Sequence, residues 1–189
     1  MKEVVLIGDS IRMGYQAFVK RELGDEVTLW WPEDNGGTSR NILDHLDEWV
    51  ISRRRALVHI NCGLHDLKKE RGSSEALVPL DEYGKNVAKI LTSIADGTDA
   101  KAVWATTTPV NQQWHHERKP FDRFEDDVVA YNRHAVAASE RLGVAVNDLY
   151  AVMMQAGADS HLTPDGVHFS DAGYALLGKA VADVIRQYL

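Results

Sequence analysis

The chain predicts an α/β domain with a parallel sheet covered by helices on both faces. Three observations carry this. Short apolar runs rich in β-branched residues alternate with helical patterns along the whole sequence. The carboxyl ends of those runs gather small and polar residues, which is how the ligand-binding edge of an open α/β sheet is composed. The 189 residues contain no repeat, low-complexity segment or linker composition, so residues 1–189 read as one domain.

The elements follow in order. Val4-Val5-Leu6-Ile7 reads as a strand buried on both faces, stopped by Gly8-Asp9-Ser10. A helix is predicted over 15–23 and a second strand over 27–31, leading into Asn35-Gly36-Gly37-Thr38-Ser39. A helix over 39–51 and a strand over 56–61 come next, ending at Gly63-Leu64-His65-Asp66. A helix over 80–95 precedes a fourth strand over 102–107, closed by Thr108-Pro109. A helix over 124–142, a strand over 144–146 and a last helix over 171–188 complete the pattern. The stretches 68–79 and 109–122 read as long loops, a length that usually signals function.

Composition narrows the function. The chain is 44% hydrophobic and 26% charged, as soluble domains are, and its formal net charge is −7. An acidic chain without a basic stripe argues against nucleic acid and against anionic membrane surfaces as partners. The one basic run, Arg53-Arg54-Arg55, reads as a solvated helix end. Cys62 is the only cysteine and sits in an apolar run, so it is expected to be a small buried hydrophobe. No signal-peptide pattern opens the chain and no apolar stretch could span a bilayer, which predicts a cytoplasmic protein. His115 and His116 are adjacent and complete no ligand spacing, so no metal is expected. No phosphate-binding glycine motif follows the first strand, so a nucleotide binder ranks last, and no cofactor is expected.

The chemistry lies at the two ends of the chain. Ser10 places a hydroxyl where a nucleophile is useful. Thr163-Pro164-Asp165-Gly166-Val167-His168-Phe169 sets a carboxylate and an imidazole three residues apart, just before the last helix. In a turn such side chains share a face. A carboxylate holds one ring nitrogen as donor and leaves the other as a base for a serine hydroxyl.

These segments resemble the blocks of the SGNH, or GDSL, hydrolase family. Gly8-Asp9-Ser10 resembles the first block, with Ile11 where Leu is frequent. Asp165-Gly166-Val167-His168 followed by Gly173-Tyr174 resembles the last. Gly36 falls at the second-block glycine, with Gly37 as the alternative. The resemblance implies a three-layer α/β/α sandwich, flavodoxin-like, around a five-stranded parallel sheet. It implies a serine esterase acting through an acyl-enzyme, with Ser10, Asp165 and His168 as the triad. The backbone N–H groups of Ser10 and Gly36 would be oxyanion donors.

The third block departs from the pattern. Gly63-Leu64-His65-Asp66 carries His65 where the family has an asparagine that donates to the oxyanion. A neutral histidine donates from only one ring nitrogen. His65 either takes over this role or packs at the rim; the intact block around it favours the donor. Asp9, Gly37 and Asn111 are candidates for binding substrate. The expected substrate is a small ester, an acetyl group carried on sugar being the favoured form. A thioesterase, a lysophospholipase or a non-catalytic binding domain of the same fold are the alternatives.

Overall fold

The computed structural model of the protein describes residues 1–53 and 55–189; Arg54, in the basic run, lies outside them. The strands are β1 (Glu3–Ile7), β2 (Thr28–Trp30), β3 (Leu57–Ile60), β4 (Lys69–Glu70), β5 (Lys101–Ala105), β6 (Phe121–Asp122) and β7 (Ala145–Asn147). The α-helices are α1 (Ser10–Leu23), α2 (Ser39–Leu46), α3 (Leu80–Gly97), α4 (Gln112–Arg118), α5 (Glu125–Arg141), α6 (Leu149–Ala156) and α7 (Asp171–Tyr188). Among the described residues, five strands form one sheet in the order β2-β1-β3-β5-β7, and every pairing in it is parallel.

Right-handed crossovers in this order put α1 on one face and α2, α3 and α5 on the other. The packing agrees: α1 and α6 rest on α7, while α3 contacts both α2 and α5. Val4, Val5, Leu6 and Ile7 are all fully buried between the two helical layers. The α1–α7 contact is close because Gly14 lacks a side chain. A Cβ there would lie 2.1 Å from the Tyr174 ring.

β3 carries a buried histidine at the sheet centre. His59 Nε2 lies 3.1 Å from Asn147 Nδ2 on β7. Burial pushes the His59 pKa down to about 3, so the ring is neutral in the fold. Burial likewise pushes the Cys62 thiol up, which suits a buried apolar role and not a nucleophile.

Several segments differ from expectation. α1 begins five residues before the predicted start, because Asp9 caps it directly after β1. The predicted helix over 39–51 ends as a π-turn at Asp47–Ile51. Both predicted loops contain structure: β4 and β6 pair antiparallel, and α4 fills 112–118. α6 was not expected; Asp148 caps it by accepting from Ala151 N, and Gly157 ends it at φ 81°. Arg55 is not a solvated helix end. Its side chain is buried beside Glu3 and lies over the Trp30 ring.

Candidate active site

Asp9 fixes where Ser10 stands. It is the N-cap of α1, and its Oδ1 accepts the Ile11 N–H at 2.9 Å. Ser10 is therefore the first helical residue, half-buried at the carboxyl end of β1. Its N–H has no intrahelical acceptor, as at every helix start, and sits at the positive end of the dipole.

The opposite wall is the segment 162–169. Leu162 bridges Phe169, and the Thr163 N–H donates to the His168 carbonyl at 2.7 Å. This turn holds Asp165 against four donors. Its Oδ1 accepts from the Val167 and His168 backbone N–H at 3.0 Å each and from Thr163 Oγ1 at 2.8 Å; its Oδ2 lies 2.6 Å from His168 Nδ1. Burial alone would raise this carboxyl. The hydrogen bonds from His168, Val167 and Thr163 outweigh burial and hold it well below the usual carboxylate range. Asp165 is thus an anion wherever the fold persists, and His168 Nδ1 carries the proton facing it. His168 Nε2 is then an acceptor, and it lies 2.8 Å from Ser10 Oγ. Residues from the two ends of the chain form one continuous relay.

Residues 6–176 match the family model described as GDSL-like Lipase/Acylhydrolase. The chain belongs to the GDSL-like lipase/acylhydrolase family. Membership makes it an ester-bond hydrolase. No curated protein matches it in sequence. Solved structures match it along nearly its whole length. The lipase/acylhydrolase from Enterococcus faecalis is 24% identical, with a TM-score of 0.82 over 99% of this chain and 96% of that one. The acetyl xylan esterase AlAXEase is 17% identical, with a TM-score of 0.77 over 97% of this chain and 99% of that one. The acetylxylan esterase Axe2 from Geobacillus stearothermophilus is 21% identical, with a TM-score of 0.76 over 97% and 94%. At these identities the likeness is one of fold.

Within this family member the remaining site residues sort by what they touch. His65 is half-buried and makes no hydrogen bond to the protein among the described residues. Burial lowers its pKa; Asp9 opposes this, while Arg123, Lys68 and His168 add to the lowering. The ring is therefore a neutral imidazole with one N–H to give. Asp66 beside it faces inward. Its Oδ1 accepts the Ser39 N–H at 2.8 Å and Ser39 Oγ at 2.5 Å, which ties the His65 loop to the start of α2. Burial, partly offset by Ser39, raises the Asp66 pKa to about 6.

Three expectations are corrected by occupied hydrogen-bond groups. The Gly36 N–H donates to the Gly8 carbonyl at 2.9 Å, so it is not free for an oxyanion. The Gly37 N–H donates to Asn35 Oδ1 at 2.8 Å, in a turn that its φ of 61° allows. Asn111 caps α4: its Oδ1 accepts the Trp114 N–H and its Nδ2 donates to Asp159, both at 3.1 Å. Its own N–H donates to the Gly166 carbonyl at 2.8 Å, so Asn111 latches α4 onto the turn that carries Asp165 and His168, and its polar groups are engaged within the protein. Asp9, expected at the substrate, is only 1% exposed and serves as the helix cap.

Two hydroxyls near Ser10 and His168 were not singled out in the sequence. Ser39 reaches Asp66 from 27 positions away, which only the fold places, whereas Thr163 bonds Asp165 two residues on, a local signal. His115 is buried, with Nδ1 3.2 Å from the Asp165 carbonyl, while His116 Nδ1 lies 2.7 Å from Asp122 Oδ1. The two adjacent histidines thus turn to different partners, from a helix and not from the loop expected.

Proposed function

We propose that this hydrolase is a serine esterase that removes short acyl groups, acetyl foremost, from carbohydrate through an acyl-enzyme on Ser10. One observation carries the reading: Ser10 Oγ, His168 Nε2, His168 Nδ1 and Asp165 Oδ2 follow one another at 2.8 and 2.6 Å across the site. Ser10 Oγ attacks the ester carbonyl carbon and gives its proton to His168 Nε2. Asp165 holds the imidazolium in place. The carbonyl electron pair moves to oxygen, where the Ser10 N–H and the His65 ring N–H meet it. Collapse breaks the bond to the alcohol oxygen, which takes the proton from His168. Water then attacks the acyl carbon, passes its proton to His168, and Ser10 departs with that proton.

Polar side chains beside the site, Lys119 next to Asp165 and Lys68 near His65, support a small acyl group on a polar alcohol. Two of the similar structures are acetylxylan esterases, which supports the same choice. The test is a panel of 4-nitrophenyl acetate, butyrate and octanoate together with acetylated xylo-oligosaccharides. The expected result is a kcat/KM for acetate about tenfold or more above that for octanoate, with acetate released from the sugars. A preference for octanoate, or for an acyl thioester of the same chain length, sinks the acetyl reading.

A further inference from the structure

The side chain of Arg123 stands beside the site with most of its hydrogen-bonding capacity unused. It is 7% exposed. Its Nε donates to the Leu64 carbonyl at 2.6 Å, directly before His65, and its guanidinium lies 5.0 Å from the centre of the Phe121 ring. Among the described residues it has no carboxylate within ion-pairing distance, and its two terminal nitrogens make no hydrogen bond to the protein. A guanidinium offers five N–H donors and stays charged, so the unused terminal N–H groups are open to an anion.

The carboxylates that act on it through space are Asp9 and Asp165, both at the site, and its own charge is felt by His65 and His115. Asp9 caps α1 through its Oδ1 and Asp165 holds His168. Neither forms an ion pair with Arg123, whose charge they balance only through space. Two further cations flank the same edge. Lys68 Nζ lies 4.4 Å from the Phe121 ring centre, and Lys119 Nζ lies 3.7 Å from Asp165 Oδ2. Lys68 also pairs with Glu70 at 2.9 Å, so both flanking lysines have carboxylate partners, whereas Arg123 has no ion pair among the described residues.

From this geometry we infer that Arg123 receives an oxyanionic group, a carboxylate or a phosphate, carried on the alcohol part of the ester. The paired terminal N–H groups suit the two oxygens of such a group. An acetyl group has no room for a charge, so the anion belongs to the alcohol, as on an acidic sugar. This inference rests on the serine-esterase reading and narrows its substrate.

The test compares three aryl acetates: 4-acetoxybenzoate, 4-acetoxyphenyl phosphate and the neutral methyl 4-acetoxybenzoate. The readout is the ratio of kcat/KM for each anionic ester to that for the neutral one. Comparing this ratio between wild type and Arg123→Gln cancels the intrinsic reactivity of each leaving group. The expected result is a ratio about tenfold or more lower in Arg123→Gln for at least one anionic ester, and intermediate in Arg123→Lys, which keeps the charge but not the fork. The ester whose ratio falls further tells carboxylate from phosphate. Equal ratios in wild type and variant overturn the inference, because a residue that merely props the Leu64 carbonyl slows all three esters alike. If Arg123→Gln does not fold, an unchanged ratio in Arg123→Lys overturns it. Failure of wild type to hydrolyse any of the three esters instead overturns the esterase reading.

Discussion

The N–H of Gly36 points at the carbonyl oxygen of Gly8, 2.9 Å away, and so fastens the loop after β2 to the strand end that presents Ser10. The contact needs a glycine: a Cβ at position 36 would lie 2.7 Å from that same oxygen. Gly36→Ala must therefore push the two backbones apart. We expect it to lower Tm by roughly 2–10 °C, the effect of about 1–3 kcal/mol of overpacking, and to lower kcat/KM about tenfold as Ser10 shifts. Calorimetry and ester kinetics check both. A variant as stable and as active as wild type contradicts the role.

His65 is expected to supply the ring N–H that meets the oxyanion. With 4-nitrophenyl acetate, His65→Ala is expected to lose about 10²–10³ in kcat with little change in KM, whereas His65→Asn stays within about tenfold of wild type. Equal rates for Ala and wild type end the donor role.

Asp66 links stability to pH through its burial. Its carboxyl keeps a proton up to about 6 in the folded chain, against an ordinary 3.8. Folding therefore takes up a proton between those values, so this group's contribution to stability falls as pH rises from about 4 to about 6 and is constant above. Asp66→Asn removes that loss and keeps an acceptor for Ser39. Measured by urea unfolding, the variant's stability relative to wild type should improve by roughly 2–3 kcal/mol between pH 4 and pH 7. A difference independent of pH contradicts this.

Asp165 is held as an anion by its four donors, so it contributes no titration to the acid limb of activity. Asp165→Asn replaces the acceptor at His168 Nδ1 and favours the wrong tautomer. It should lower kcat by about 10²–10⁴ while leaving the fold intact by circular dichroism. A fully active Asn variant contradicts the assignment.

Where local chemistry decides, the sequence was readable. The apolar run at 4–7 followed by Gly8 is enough to locate β1 and Ser10, whereas the expected start of α1 falls five residues late because the Asp9 cap lies ahead of the helical pattern. The three-residue spacing of Asp165 and His168 is enough to pair them, and Ser10 met them as expected. What escaped depends on contacts between distant segments. Whether the Gly36 N–H is free depends on where residue 8 ends up, 28 positions earlier. Asn111 looked available at the rim until Asp159 and Trp114 took both ends of its amide. β4 and β6 exist only because Lys69 meets Asp122 across two stretches that each look like loops. Arg123 carries no motif; its burial follows from the Leu64 carbonyl and the Phe121 ring. α6 is different, since its Asp148 cap and Gly157 stop are local signals of the ordinary kind.

The central claim is that Ser10 is a nucleophile activated by His168. The most direct measurement is covalent labelling by a fluorophosphonate, followed by peptide mapping in a mass spectrometer. Wild type should take one label, on Ser10. Ser10→Ala should take none, and His168→Ala should react about 10² or more times slower. A folded wild-type protein that stays unlabelled, or that carries its label on another residue, contradicts the claim.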